Sequence, residues 1–144
     1  MQSNKSPRRL LVVEDNPTDA LLLRRALTEH GVDYEMVVVG DGEEAIEYLE
    51  KCKQAAKPEL IIVDLNLPKE DGIEVLKVYR GSSSFMETQM VILTSSDSPS
   101  ERQRAEIIGV DAYLRKPIEL DAFLALGGTL KRLLELRPKV HDVI

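Results

Sequence analysis

The sequence predicts an α/β fold in which a doubly wound parallel sheet of five strands is covered by helices on both faces. Five short runs are rich in Val, Ile and Leu and lack the two-residue alternation of half-exposed strands, as is typical of strands buried on both faces. Helix start signals separate these runs, and such alternation favours right-handed crossovers within one parallel sheet. The strand candidates are roughly residues 9–14, 34–39, 59–64, 89–94 and 111–115.

Each of the first four helices is predicted from a cap at its start. Residues 16–19 supply an N-cap asparagine, a proline at the first helical position and an acid in the first turn. Residues 41–44 and 71–74 each begin with an aspartate and carry a glutamate three residues later, a variant of the capping box. Residues 98–101 form a capping box with proline in its first turn, and Gly31 is expected to end the first helix.

The fifth helix, at about residues 118–136, contains Gly127 and Gly128 in its interior. Each glycine costs about 1 kcal/mol relative to alanine in a helix. We therefore expect either a kink or close packing against a neighbouring element at this point. The chain divides into a polar, disordered segment at residues 1–7, one domain at residues 8–136, and a short tail at residues 137–144.

Composition excludes several classes of function. The net charge is −6, only 4% of residues are aromatic, and Trp is absent, which argues against a nucleic-acid partner. The chain shows no secretory signal and no apolar stretch approaching the ~20 residues of a membrane helix. We expect a cytoplasmic protein without a membrane partner.

Polar residues of different types follow four of the five strands. Glu14 and Asp15 follow the first strand, Asp64 follows the third, Thr94 ends the fourth, and Lys116 comes just after the fifth. The carboxyl ends of parallel strands meet at one edge of a sheet, and ligands bind there. With strand order 2-1-3-4-5, the first and third strands are adjacent at the switch point of the sheet. Three carboxylates, a hydroxyl and an ammonium should therefore lie together.

These groups suit a divalent metal ion and a phosphoryl group. Two carboxylates ~4 Å apart repel by about 4 kcal/mol at an effective dielectric constant near 20, so a hard cation would relieve Glu14, Asp15 and Asp64. The competing interpretation is that Glu14 and Asp15 only complement the following helix N-terminus. A central Asp64 can attack phosphorus to form an aspartyl-phosphate. Lys116 would balance the phosphoryl charge, and Thr94 would donate a hydrogen bond to it.

The chain resembles the receiver domain of two-component response regulators over about residues 9–126. The matching pieces are Val13-Glu14-Asp15-Asn16, Asp64-Leu65-Asn66-Leu67-Pro68 with Asp71-Gly72, Thr94-Ser95-Ser96, and Tyr113 with Lys116-Pro117. Lys-Pro alone is weak evidence, whereas all four pieces in order at β-α spacing are a strong signal. Two details, Glu-Asp-Asn-Pro-x-Asp at residues 14–19 and Asp-Leu-Asn-Leu-Pro at residues 64–68, look most like single-domain regulators that partner phytochrome-type kinases.

The resemblance implies a flavodoxin-like fold and a role for each matching residue. Asp64 would be the phosphoacceptor and Lys116 its charge partner. Glu14 and Asp15 would form the acidic pair that binds Mg²⁺ together with Asp64, and the Asn66 backbone carbonyl would be a further ligand. Thr94 and Tyr113 would be the switch pair. The bond between Lys116 and Pro117 is expected to be cis.

The resemblance also implies partners. A sensor histidine kinase or a phosphotransfer protein would donate the phosphoryl group, and the chain would be a switch protein rather than an enzyme acting on a separate substrate. The face of the fourth helix, fifth strand and fifth helix would then repack and bind a downstream protein or a second copy of the chain, as a homodimer.

Two other interpretations compete with a phosphoacceptor switch. A haloacid-dehalogenase-type phosphatase needs a second aspartate two residues after its nucleophile and a nucleophile after the first strand, whereas Asp64 follows the third strand and is succeeded by Asn66. A phosphorylation-independent interaction module, or pseudo-receiver, should have lost part of the acid, Thr and Lys set. This chain retains every member, so we favour the phosphoacceptor.

Overall fold

Five parallel strands and five α-helices alternate along the part of the chain that the structure describes. The computed structural model describes residues 7–52, 57–67, 71–96 and 98–136. The elements are β1 (Arg8–Val13), α1 (Pro17–Glu29), β2 (Tyr34–Val39), α2 (Gly42–Cys52), β3 (Leu60–Val63), α3 (Gly72–Arg80), a short 3-10 helix (Ser83–Phe85), β4 (Gln89–Thr94), α4 (Pro99–Ile108), β5 (Ala112–Arg115) and α5 (Leu120–Leu136). The predicted disordered segment, apart from Pro7, and the predicted tail lie outside the described residues.

The strands form one sheet in the order β2-β1-β3-β4-β5. Every neighbouring pair is parallel, with β1 and β3 aligned from Leu10 against Leu60 to Val13 against Val63. The predicted fold class, strand order and doubly wound, flavodoxin-like topology are therefore confirmed. None of the helices in the described residues is long and apolar enough to cross a membrane.

Two hydrophobic layers cover the sheet. Adjacent strand residues alternate between them: Ile61 and Val63 face the layer beneath α2, α3 and α4, whereas Leu60 and Ile62 face the layer beneath α1 and α5. All four side chains are at most 2% exposed. This double burial explains why the strand sequences lack polar alternation, because both faces of each strand lie in apolar surroundings.

The predicted caps are present. The four cap side chains each accept a hydrogen bond from a backbone N–H in the first turn of their helix; they are Asn16, Asp41, Asp71 and Ser98. The Glu101 carboxylate accepts a hydrogen bond from the Ser96 hydroxyl at 2.8 Å, so it ties the start of α4 to the loop after β4. Gly31 follows α1 with φ of 73°, a conformation that favours glycine, which confirms its predicted role.

The two glycines of α5 let it pack closely against α1. A Cβ atom on Gly127 would overlap the Ala26 carbonyl oxygen and lie 2.5 Å from His30 Nδ1. A Cβ atom on Gly128 would lie 3.3 Å from the His30 ring. Of the two predicted alternatives, close packing against a neighbour is the correct one. This packing brings α5 against the C-terminal part of α1.

Candidate functional site

The carboxyl edge of the sheet brings together the predicted acids and the predicted lysine. The Glu14 N–H donates to the Val39 carbonyl at 2.9 Å and the Asp64 N–H donates to Val13 at 3.0 Å, so both acids extend the backbone ladder past their strands. The Lys116 N–H donates to the Thr94 carbonyl at 2.8 Å in the same way. Backbone pairing therefore fixes where each of these side chains begins.

The acids form a compact oxygen cluster. One carboxylate oxygen from each of Glu14, Asp15 and Asp64 lies within 4.8 Å of the others. Glu14 is 4% and Asp64 is 7% exposed, whereas Asp15 lies at the surface. Opposite ligands of Mg²⁺ lie about 4 Å apart, so these all-oxygen donors fit a hard divalent cation after only small side-chain movements. Two buried acids and one exposed acid leave such an ion open to solvent on one side.

Lys116 supplies the positive charge of the site. Its Nζ donates to Glu14 Oε1 at 2.8 Å, to Asp64 Oδ2 at 2.9 Å and to Asp19 Oδ2 at 2.8 Å. An ammonium has three N–H donors, so these carboxylates use all of them. Sequence reasoning treated Asp19 only as an acid in the first turn of α1. The signal that could have identified it is its place in the first turn of the helix that follows β1, near the carboxyl edge of the sheet.

Burial and charge shift the pKa values of this cluster in opposite senses. Burial raises the pKa of Glu14 to about 7, an increase that Asp64 strengthens and the Lys116 hydrogen bond partly offsets. Burial alone would lower the pKa of Lys116, but its hydrogen bonds to Asp19, Glu14 and Asp64 outweigh that effect and raise it. Lys116 is therefore an ammonium at neutral pH and neutralises part of the acidic cluster.

The loop after β3 is held by a glycine and by the Asp64 side chain. The Asn66 N–H donates to Asp64 Oδ1 at 3.0 Å, which fixes one carboxylate oxygen while Lys116 contacts the other. A Cβ atom on Gly72 would lie 2.5 Å from the Asp64 carbonyl oxygen and 2.9 Å from Leu65 Cα. Only glycine lets the start of α3 come this close, so Gly72 positions the loop that carries Asp64.

Thr94 and Tyr113 lie on the α4 side of the same edge. Thr94 is fully buried, and its hydroxyl accepts a hydrogen bond from the Ser96 N–H at 3.1 Å. Tyr113 is half-buried and aligned with Ile92, two residues before Thr94, so both side chains point to the layer beneath α4. The Arg102 guanidinium lies 4.4 Å from the centre of the Tyr113 ring. No sequence pattern described above predicts this contact, which joins α4 to β5.

One expectation about the site is wrong. The bond between Lys116 and Pro117 is trans, as are all peptide bonds in the described residues. The trans form of an X-Pro bond is favoured by about 0.5–1 kcal/mol. The Lys116 ammonium reaches all three carboxylates with the bond in this form, so the observed contacts do not require a cis bond.

The sequence is similar to known signalling proteins. The sequence model described as the response regulator receiver domain matches residues 10–126. The transcriptional regulatory protein TrcR of Mycobacterium tuberculosis is 36% identical over 132 residues, which are 91% of this chain and 48% of TrcR. Response regulator Rcp1 of Synechocystis sp. is 32% identical over 126 residues, which are 85% of this chain and 86% of Rcp1. The chain thus spans about half of TrcR but most of Rcp1.

Solved structures give the same picture. The phosphorylated cyanobacterial phytochrome response regulator RcpA superposes with a TM-score of 0.84 at 29% identity, covering 93% of this chain and 98% of RcpA. The Mn(2+)-bound form of Rcp1 superposes with a TM-score of 0.82 at 27% identity, covering 92% of this chain and 98% of Rcp1. One neighbour is thus phosphorylated and another holds a divalent metal ion.

Proposed function

The chain belongs to the response regulator receiver domain family, and from this premise we propose that it accepts a phosphoryl group on Asp64 and thereby switches the binding of a partner protein. Receiver domains are phosphoacceptor switches rather than conventional enzymes, and histidine kinases or phosphotransfer proteins phosphorylate them. The observation that carries the proposal is the placement of Asp64, which lies beside two further acids and accepts a hydrogen bond from the Lys116 ammonium.

The proposed reaction transfers one phosphoryl group between two side chains. An oxygen of the Asp64 carboxylate attacks phosphorus, and the bond from phosphorus to the donor histidine nitrogen breaks, with its electron pair remaining on the imidazole. The Asn66 N–H and the Lys116 ammonium hold the two oxygens of Asp64 before the reaction. Lys116 then balances the charge of the phosphoryl oxygens, and the Thr94 hydroxyl donates a hydrogen bond to one of them.

We propose Mg²⁺ as the cofactor. Glu14, Asp15 and Asp64 would hold the ion through carboxylate oxygens, and Asn66 would contribute its backbone carbonyl. When bound, the ion neutralises charge on the phosphoryl oxygens. The compact cluster of carboxylate oxygens and the Mn(2+)-bound form of Rcp1 support a divalent metal ion at this place. An all-oxygen donor set with a solvent-exposed side suits Mg²⁺, which keeps several of its waters.

Phosphorylation would act on the face formed by α4, β5 and α5. Thr94 would move towards the phosphoryl group and Tyr113 would turn inward into the space it leaves, which repacks that face. A downstream protein or a second copy of the chain would then bind this face. We further propose that residues 8–136 form the receiver domain of a cytoplasmic, stand-alone regulator. Its partner would be a phytochrome-type kinase, as the likeness to Rcp1 and RcpA supports.

The competing proposal, a phosphorylation-independent interaction module, is not favoured. Such a module has no need to keep a buried ammonium in contact with buried acids, because even a paired buried salt bridge is often no more stabilising than well-packed apolar residues of similar volume. Here Lys116 and Glu14 are both nearly buried, with side chains that are 11% and 3% exposed. The complete acid and lysine set therefore supports a site that is kept for its chemistry.

Intact-mass spectrometry with a small phosphodonor tests the proposal. Acetyl phosphate and Mg²⁺ should add one phosphoryl group to the protein, and Asp64→Asn should abolish the addition. Asp33→Asn is the matched control, since Asp33 is an exposed aspartate that precedes β2. An adduct that persists in Asp64→Asn would place the phosphoryl group elsewhere, and no adduct in either protein would favour the binding-only module.

A further inference from the structure

We propose that Asp19 is the positioning residue for Lys116, holding its ammonium beside Asp64 when a divalent cation occupies the acidic cluster. This inference rests on the proposed function, because it concerns the lysine that would meet the phosphoryl group. Asp19 lies outside the cluster of Glu14, Asp15 and Asp64.

The three carboxylates around Lys116 differ in whether they also belong to the cation cluster. Glu14 and Asp64 contribute oxygens both to the cation cluster and to the Lys116 ammonium. A bound cation would compete with the ammonium for these oxygens. Asp19 is the carboxylate on Lys116 that such a cation would not contest, so it remains available as an anchor.

The first turn of α1 places Asp19 beside Lys116. Asn16 Oδ1 accepts the Asp19 N–H at 3.3 Å, so the backbone of Asp19 is tied to the cap of α1. Its carboxylate then reaches Lys116 Nζ at 2.8 Å across 97 positions of sequence. Towards its other end, α1 packs closely against α5, where Gly127 meets Ala26 and His30.

A helix-dipole role alone does not account for this contact. An acid in the first turn of a helix is favoured by the partial positive charge there and can remain in solvent. The Asp19 side chain is 18% exposed and in contact with an ammonium that is itself 11% exposed. Asp121, in the first turn of α5, shows the ordinary case of an exposed side chain.

Two roles for Asp19 predict opposite results. If Asp19 acted only through its negative charge, neutralising it would make the edge less repulsive to an anion and would tighten binding of a phosphoryl mimic. If Asp19 positions Lys116, neutralising it lets the ammonium move away from Asp64 and weakens that binding. Asp19→Asn preserves the shape of the side chain and removes its charge, so it separates the two.

The experiment measures the Kd of beryllofluoride, a phosphoryl mimic, at saturating Mg²⁺ by NMR titration. Asp19→Asn should weaken binding about tenfold, as expected for loss of one charge-assisted hydrogen bond. Asp121→Asn, which removes a first-turn charge of the same kind, should bind as the wild type does. Equal or tighter binding by Asp19→Asn would overturn the proposal. Failure of the wild type to bind at all would instead overturn the proposed function and this inference with it.

A double-mutant cycle on unfolding, also at saturating Mg²⁺, tests whether Asp19 acts through Lys116. Asp19→Asn should destabilise the wild type but have much less effect on Lys116→Gln, because the partner is already absent. Strictly additive effects would mean that the two side chains do not interact in the metal-loaded protein, which contradicts the proposal. This readout needs no phosphoryl mimic, so it separates the contact from the chemistry.

Discussion

At the scale of single residues, Lys116 connects three acids that belong to different parts of the chain. Glu14 follows β1, Asp19 lies in the first turn of α1, and Asp64 follows β3. Four carboxylates, counting Asp15, gather near one ammonium. The raised pKa of Glu14, about 7, reflects its burial in these surroundings. One cation of the protein itself, the Lys116 ammonium, therefore holds Glu14, Asp19 and Asp64 together.

Lys116→Met should destabilise the metal-free protein by about 2 kcal/mol, because buried carboxylates lose their counter-charge. Proton uptake by Glu14 limits the loss, since a buried acid without its cation partner becomes neutral more readily. Urea unfolding in the presence of EDTA measures the effect. Adding Mg²⁺ should recover part of the lost stability, because the ion replaces the missing positive charge. A variant as stable as the wild type in EDTA would contradict this account.

Tyr79 gives a prediction about alkaline pH. Its hydroxyl donates to the Ala45 carbonyl at 2.7 Å, and burial, reinforced by Cys52 and Tyr48, raises its pKa. Tyr79→Phe should cost about 1–2 kcal/mol at neutral pH, since the buried carbonyl loses its donor. In the unfolded chain Tyr79 loses its proton near pH 10, but in the folded protein it does so only at higher pH, so its stabilising contribution declines above about pH 10.

Urea unfolding of wild type and Tyr79→Phe between about pH 8 and pH 11 checks the sign of this effect. The stability difference between the two proteins should be constant up to about pH 10 and then shrink as the unfolded wild type releases its proton. A difference that stays constant or widens over this range would show that the folded-state pKa of Tyr79 is not raised.

At the scale of elements, the packing of α5 on α1 depends on Gly127. Alanine is the better helix former by about 1 kcal/mol, but a Cβ atom here would overlap the backbone of α1 at Ala26. Overpacking of this kind costs about 1–3 kcal/mol, and a carbonyl within a helix cannot move aside easily. Gly127→Ala should therefore lower the free energy of unfolding by about 1–2 kcal/mol, measured by urea unfolding.

Gly128→Ala is the matched control for this contact. Its Cβ atom would lie 3.3 Å from the His30 ring, which is a side chain and can shift. The gain in helix propensity should then offset the tighter contact, so that this variant is about as stable as the wild type. If both substitutions lowered the free energy of unfolding equally, the closer approach of α1 at Gly127 would not explain the loss.

Elements were more predictable from the sequence than the contacts between them. Strands and helices follow from local patterns, and the observed strand bounds lie within one residue of those expected. The contact of Asp19 with Lys116 spans 97 positions, and that of Arg102 with Tyr113 joins a helix to a strand. No local sequence pattern predicts such contacts, because they depend on how two separate elements pack. The same applies to Gly127, for which the sequence left a kink and close packing as equal alternatives.

At the scale of the whole molecule, the strand order gathers the site. With β1 and β3 side by side at the centre of the sheet, Glu14, Asp15 and Asp64 meet at its carboxyl edge. Residues separated widely in sequence thus form one cluster without any long loop. The predicted cluster of acids and lysine could be read from the ends of the strands, because parallel topology alone brings those ends together.

The residues with proposed roles in the switch lie on both faces of the sheet. Asp19 comes from α1, on one face, whereas the Thr94 and Tyr113 side chains point to the layer beneath α4, on the other. On the second face, the loop after β4 links Thr94 to α4: Ser96 donates its N–H to Thr94 and its hydroxyl to Glu101 of α4. A phosphoryl group on Asp64 would therefore act on α4 through Thr94 and this loop.

Our main proposal for this protein is that a phosphoryl group on Asp64 switches the α4 side of the molecule. The most direct measurement compares NMR spectra of the wild type and of Asp64→Asn before and after adding beryllofluoride with Mg²⁺. We expect large shifts at Thr94, Ser96 and Tyr113 in the wild type and none in the variant. Binding of beryllofluoride to the wild type with shifts confined to the acidic edge would contradict the claim, because the site would then be loaded without switching.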